Sequence, residues 1–173
     1  MTHYNSLIEV ESGWKWPVNS TIIEPLRPIV SNINQTKVYI YKSVINLPEN
    51  LLWRRISETT LSIGNLLMHL KGTEHQWIGH FLGGKPLDRN KESEMVVNGG
   101  IDLEGLLVNL HNVENDSIEI LLNFNTDDLS RLYTSKSLTA EFILHYTAQH
   151  LAYHAGQLVL IRKYFEPSFE LFS

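Results

Sequence analysis

Two histidines toward the C-terminal end of the chain have the spacing of a helical metal site. His150 and His154 lie in the segment Thr147-Ala-Gln-His-Leu-Ala-Tyr-His-Ala-Gly-Gln157. Residues four apart on a helix differ by about 40° around its axis and stand one turn apart, so both imidazoles can reach one point. The alternative is two polar residues on a solvated face. The run from Thr139 to Phe165 is apolar almost all round, which indicates a buried helix and favours the ligand interpretation.

A metal held by two histidines of one helix needs a third ligand, and a facing helix is the natural donor. His69 is the preferred candidate for the third ligand, because it lies between Met68 and Leu70 in the most apolar part of an earlier predicted helix. His111 lies beside the apolar stripe of another predicted helix and is a reserve candidate.

The other histidines of the predicted helices are weaker candidates. His145 lies about 140° around the helix from His150 and should point off the metal stripe. His75 and His80 lie near the end of their helix, where a histidine is favoured by the helix dipole without any metal.

Three neutral imidazoles around a divalent ion leave a position open for water or substrate, as in catalytic metal sites. Such an ion lowers the pKa of a bound water or thiol, giving hydroxide or thiolate near neutral pH. The chain has no cysteine, so a thiol nucleophile must come from a low-molecular-weight cosubstrate. Zn, Ni, Co, Fe and Mn all suit such a site, because affinity follows the ion rather than the function.

Apolar periodicity predicts four long helices that would carry these residues. Apolar residues recur at three- and four-residue intervals from Leu26 to Leu47, and Pro48 closes this first helix. The second helix begins at an N-cap, Ser62, and stops at Gly83. The third follows its cap Asp102 out to Phe124, and the fourth follows its cap Thr139 and ends before Pro167.

Four helices, little strand-like alternation and no internal repeat predict an all-α, antiparallel four-helix bundle. Residues 83–101 form the longest polar connection, which is long enough to cross the bundle between helices 2 and 3. We predict one domain over residues 1–173. Within it, residues 1–20 should form an irregular arm that packs through Trp14 and Trp16.

Composition limits the classes of partner. The net charge is -5 and the basic residues are scattered, so neither nucleic acid nor an anionic membrane is an expected partner. The chain also lacks an apolar run of about 18 residues and the pattern of a signal peptide, which predicts a cytoplasmic protein.

Four further polar residues could orient the ligands or the incoming group: Asn65, Gln76, Tyr153 and Gln157. For Gln157 an ordinary interhelical hydrogen bond is favoured, because Gly156 indicates close helix packing. Tyr153 could reach the mouth of the site or be an ordinary rim tyrosine. Glu74 is better interpreted as a salt-bridging or capping group than as a general base.

Two motifs in this chain resemble those of the DinB superfamily, which includes bacillithiol transferases and mycothiol-dependent maleylpyruvate isomerases. They are Ser62-Ile-Gly-Asn-Leu-Leu-Met-His-Leu-Lys-Gly-Thr-Glu-His-Gln-Trp77 and His150-Leu-Ala-Tyr-His-Ala-Gly-Gln157. The resemblance spans most of the chain except its first 20 residues. It implies an antiparallel four-helix bundle that binds a divalent metal through His69, His150 and His154.

Activity does not carry over from the resemblance, but the open metal site favours a metal-dependent enzyme acting on a small molecule, with thiol-S-transferase as the expected activity. A metal-dependent hydrolase and a non-enzymatic, metal-stabilised binding protein stay open as alternatives. An open metal position beside an apolar cleft would favour an enzyme, whereas a fourth protein ligand would favour a binding protein. Members of the resembled family often pair, and the wide apolar helix faces add to this, so we predict a homodimer.

Overall fold

The computed structural model describes residues 22–133 and 137–172, and these form the predicted all-α bundle. The predicted arm of residues 1–20, with Trp14 and Trp16, lies outside the described residues. The α-helices are α1 (Arg27–Val44), α2 (Ile63–Glu74), α3 (Lys91–Val96), α4 (Leu103–Leu122), α5 (Thr126–Ser130) and α6 (Ala140–Phe165). Short 3-10 turns lie at Glu24–Leu26 and Glu49–Leu51, a π-helical segment at His75–Leu82, and an antiparallel strand pair at β1 (Leu132–Tyr133) and β2 (Leu138–Thr139).

Three predicted N-caps are confirmed by hydrogen bonds to the first turn of each helix. Ser62 Oγ accepts a hydrogen bond from the backbone N–H of Asn65 at 3.1 Å. Asn65 Oδ1 in turn accepts from the backbone N–H of Ser62, which completes a capping box. The carboxylate of Asp102 caps α4, and the hydroxyl of Thr139 caps α6. The starts of the helices that carry the paired motifs are therefore set by local sequence.

The first helix is shorter than predicted and ends at Val44 instead of Leu47. Asn46 adopts a left-handed backbone with φ 51°, which asparagine tolerates better than most residues, and the helix cannot pass it. The connection 83–101 also differs from the prediction, because it contains α3, a short helix capped by Asn90.

The directions of the helices confirm the predicted crossover. Trp53, whose ring lies against Gly64 in the first turn of α2, donates from Nε1 to the carbonyl of Ile101, just before α4. At the other end of the bundle, Gly83 lies against the side chain of Ile120. Helices α2 and α4 are therefore parallel, so the connection between them must return along the bundle, with α3 packed against α2 on the way.

Helix α6 runs antiparallel to α2, since His69 contacts His154 while the later Trp77 contacts the earlier Tyr146. Helix α1 packs along α6, and Arg162 near the end of α6 donates to the carbonyl of Ile45, just after α1, so these two helices are parallel and α1 is antiparallel to α2. One apolar core joins these helices, but α6 is not buried all round as its composition indicated. Phe142, Tyr153 and Leu160 are 51%, 65% and 65% exposed, because a row of apolar residues faces outward.

A buried group of charges links α1, α2 and α4 inside this core. Lys37 Nζ lies 2.7 Å from Glu74 Oε1 and 3.2 Å from Glu114 Oε1, and Tyr41 donates to Glu114 Oε2 at 2.6 Å. Glu74 is thus a salt-bridging residue, as its sequence position indicated. Burial raises the pKa of Glu114 to about 7, assisted by the charge of Glu74 and opposed by Lys37 and the Tyr41 hydrogen bond.

This raised pKa predicts a specific pH dependence of stability. The unfolded chain releases the Glu114 proton near the ordinary pKa of 4.5, whereas the folded protein holds it up to a pKa of about 7. The stability contributed by this proton is therefore present below pH 4.5 and is lost as the pH rises to about 7. Glu114→Gln lacks the titration. Between these pH values the melting temperature of the wild type should fall by several °C more than that of the variant. For a chain of this length, each kcal/mol of unfolding free energy shifts the melting temperature by about 2–4 °C. Calorimetry across the range checks this, and parallel curves would contradict it.

Candidate metal centre

The two histidine motifs meet across the seam between α2 and α6. His69 Nε2 lies 3.1 Å from His150 Nε2, which lies 3.2 Å from His154 Nε2. All three donor atoms fall within 4.8 Å of one another. The structure thus brings together the three histidines that the sequence proposed as ligands, each by its Nε2 atom.

Buried leucines lie beside the histidines on both helices. Leu66 and Leu70 flank His69 on the buried side of α2, while Leu151 and Leu158 anchor α6 in the same core. His69 and His154 are buried and His150 is half-buried, so the cluster lies at the edge of the core, open on one side. The histidines are held in place by the packing of their helices.

The environment of His150 and His154 favours the neutral imidazole. Burial, followed by the charges of His154 and His69, lowers the pKa of His150 to about 3. Burial also lowers the pKa of His154, partly offset by its hydrogen bond to Gln157. Neutral rings with free nitrogen lone pairs are the form in which histidine binds a metal.

The outward nitrogens of two rings have acceptors that determine which nitrogen carries the proton. His69 Nδ1 lies 3.0 Å from Glu94 Oε2, and His154 Nδ1 lies 2.7 Å from Gln157 Oε1. An oxygen acceptor requires a proton on each Nδ1, which leaves the Nε2 lone pairs pointing at one another. Such converging lone pairs fit a divalent cation, and these residues therefore suit the metal that the resemblance implies.

Glu94 was not among the predicted site residues, nor was its partner Arg89. Arg89 Nε donates to Glu94 Oε1 at 2.7 Å and Nη2 donates to Glu94 Oε2 at 2.8 Å. Burial pushes the pKa of Glu94 upward, but the hydrogen bonds and charges of Arg89 and His69 outweigh it and hold the pKa below its usual value. Both residues come from the crossover, where the local signal is only the cap Asn90 with Ser93.

Two predicted site residues reach the cluster through the crossover rather than directly. Asn65 Nδ2 donates to the carbonyls of Glu94 and Val97 at 3.0 and 2.8 Å, and so ties α3 to the first turn of α2. Gln76 Oε1 accepts from Arg89 Nη1 at 2.6 Å. Both residues therefore support Arg89 and Glu94, and neither has a hydrogen bond to a histidine ring among the contacts of the described residues.

The other two predicted residues form a short chain along α6. Gln157 hydrogen-bonds His154 within the same helix and donates from Nε2 to the hydroxyl of Tyr153 at 3.2 Å. The expected interhelical bond of Gln157 is thus replaced by a contact to the site. Close packing at Gly156 was a wrong expectation, because a Cβ there would have no neighbouring atom within 4 Å.

The weaker histidine candidates lie elsewhere. His75 and His80 bind the carbonyls of Pro86 and Lys85, and so hold the chain that leaves the π-helical segment. His145 is exposed near Glu141, off the metal stripe as predicted. Burial lowers the pKa of His111, and the charge of Lys37 lowers it further.

An aromatic wall stands beside the cluster. Tyr146, one turn before His150, stacks on that ring with centroids 6.1 Å apart. Trp77 lies 4.4 Å from Tyr146, and Phe81 lies 5.1 Å from Trp77. These three side chains, the aromatic wall, are each partly exposed, so they offer an apolar surface next to the histidines.

Comparison with protein families gives a match to the mycothiol-S-transferase family over residues 29–167, well over half of the chain. The chain belongs to the mycothiol-S-transferase family. This is a DinB-like family, which confirms the resemblance drawn from the two motifs. No curated protein matches the chain. Among the described helices, none has the length and apolar character needed to cross a membrane.

The geometry predicts which histidines matter for metal binding. His69→Ala and His150→Ala should each weaken zinc binding by more than about 100-fold, since loss of an outer hydrogen-bond partner alone costs about 10–100-fold. His145→Ala, an exposed control on the same helix, should keep wild-type affinity. Titration calorimetry and metal analysis give the affinities, and zinc should raise the melting temperature only where it binds. Equal loss in His145→Ala would show that the ligand set is wrong.

Proposed function

We propose that the protein is a metal-dependent thiol-S-transferase. The observation that carries this is the convergence of three imidazoles in a chain that belongs to an S-transferase family. In the proposed reaction a low-molecular-weight thiol attacks an electrophilic carbon. The sulfur–carbon bond forms, the bond from carbon to its leaving group breaks, and the thiol proton leaves with that group as the acid.

The roles of the residues follow from their positions. His69, His150 and His154 would hold a divalent ion, which when bound lowers the pKa of a coordinated thiol so that it reacts as thiolate. The chain supplies no thiol of its own, because it contains no cysteine. Glu94 and Gln157 keep two of the rings in the tautomer that presents Nε2 to the ion.

The surroundings of the histidines support an enzyme over a purely structural metal site. In the part of the chain that the structure describes, the potential ligand group consists of three histidines and includes no carboxylate as a fourth member. Three ligands leave a coordination position for a substrate. The aromatic wall beside His150 supplies an apolar surface for the carbon portion of an electrophile.

Activity should depend on both the metal and a small thiol. Zinc-loaded protein should transfer mycothiol or bacillithiol to monobromobimane faster than the uncatalysed rate, and His150→Ala should fall to that rate. Fluorescence of the bimane adduct measures the product for each thiol in turn. The His145→Ala variant, which retains the ligand set, should remain active.

The same preparations separate the alternatives. Hydrolysis of model esters or amides without any thiol, and no thioether product, would favour the hydrolase. Absence of both reactions across a panel of thiols and metals, with intact zinc binding, would contradict the transferase and favour a metal-stabilised binding protein.

We also propose a homodimer, supported by the outward apolar row on α6, which includes Leu160 and Tyr164 at 65% and 59% exposure. A two-fold pair would bury the same patch on both subunits, and a stable one needs above about 1,000 Å². Light scattering at tens of micromolar should give twice the 19.9 kDa chain mass. Leu160→Glu should shift the mass toward one chain, because it places a charge in the interface. A monomeric wild type would contradict this proposal.

A further inference from the structure

We infer that Gly72, Arg89 and Glu94 form a positioning unit that fixes the orientation and tautomer of His69. None of the three is a ligand of the proposed ion. The inference rests on the proposed metal site only for its consequence, which is a higher metal affinity. The fixed tautomer is a property of the protein without metal.

The first step is the contact between Glu94 and His69. The carboxylate oxygen lies 3.0 Å from Nδ1, and an ionised carboxylate can only accept a hydrogen bond. Arg89 Nη2 also lies 3.2 Å from Nδ1, but its two hydrogens serve the shorter bonds to Glu94 Oε2 at 2.8 Å and Thr73 Oγ1 at 3.0 Å. Nδ1 therefore donates to Glu94, and in the neutral ring this places the proton on Nδ1. The Nε2 lone pair then faces His150 and His154, which is the arrangement a metal needs.

The second step is the immobilisation of that carboxylate. Arg89 binds both oxygens of Glu94 in a two-pronged pair, with each side chain less than a tenth exposed. The same guanidinium donates to Thr73 Oγ1 at 3.0 Å and to Gln76 on the neighbouring turn. Each of its three nitrogens thus has an acceptor on Glu94, Thr73 or Gln76, and the carboxylate cannot rotate without breaking several bonds.

The third step is the space that Gly72 provides. Gly72 lies on α2 where the Arg89–Glu94 pair rests on the helix, and a Cβ at this position would overlap the carboxylate and come within 2.8 Å of Arg89 Nε. The clash is with the flexible ends of side chains, so an alanine would displace the pair and not the helix. Glycine is therefore required here for the approach of Glu94 to His69 and not for backbone freedom.

Four variants test this unit: Gly72→Ala, Glu94→Ala, Glu94→Gln and the control Gly156→Ala. Nitrogen-15 NMR of the metal-free protein gives the tautomer of His69, and titration calorimetry gives the zinc affinity. The wild type and Gly156→Ala should show the proton on Nδ1, since alanine at residue 156 meets no neighbour. Gly72→Ala and Glu94→Ala should show a mixture of tautomers and about 10–100-fold weaker zinc binding. Glu94→Gln keeps an acceptor oxygen and should recover most of the Nδ1 tautomer.

An unchanged tautomer and zinc affinity within about twofold of wild type in folded Glu94→Ala would overturn the inference. If Gly72→Ala fails to fold by circular dichroism, the two Glu94 variants decide the matter. A wild type that binds no zinc would refute the proposed metal site, and the tautomer of His69 would still support or overturn the role of Glu94. A wild type that binds zinc but transfers no thiol would refute only the transferase.

Discussion

Convergence of three imidazoles at the seam of α2 and α6 is the constraint around which the molecule is arranged. His150 Nε2 can donate its single hydrogen to His69 or to His154 but not to both, so at least one Nε2 lone pair at the seam has no donor. Such a group is costly in an apolar interior unless it is satisfied. The packing of both helices in one core supplies the rigidity that holds the rings together. A cation would satisfy all three lone pairs at once, so the site uses stability from the core to preorganise a binding point.

The parallel direction of α2 and α4 determines the path of the connection between them. An antiparallel neighbour could follow α2 through a short loop, but a parallel one requires a return along the bundle. That return passes over α2 and carries Arg89 and Glu94 to the side of His69 opposite α6. The connection thus supplies part of the site as well as joining two helices.

The parts of this structure that sequence predicted are those set by local rules. The caps Ser62 and Thr139 and the four-residue spacing of His150 and His154 depend on nearby residues, and the structure places them as expected. Glu94 lies 25 residues from His69 in a polar segment without periodicity, so its contact depends on the path of the crossover. Unlike the paired histidine motifs, a single glutamate in such a segment has no local pattern that marks it as a partner of His69.

The outward face of α6 shows the limit of composition. An apolar helix is expected to be buried, yet Phe142 and Leu160 are exposed, because a bundle of this size covers only part of the surface of its last helix. The sequence of α6 contains more apolar residues than the one helix face that packs on the core can hold. It gave no basis for deciding which of them face outward.

The π-helical segment makes two parts of the site separable. At its end the amide of Gly83 bonds the carbonyl of Ile78, five residues back, so each turn holds more residues than an α-helix allows. Trp77 lies within this segment, whereas His69 precedes it. Removal of one residue near the start of this segment would rotate the later residues around the helix axis and redirect the aromatic side chains among them. His69 precedes the segment and would keep its orientation. Insertions and deletions in this stretch therefore offer evolution a way to reshape the apolar wall while the metal-binding residues stay in place.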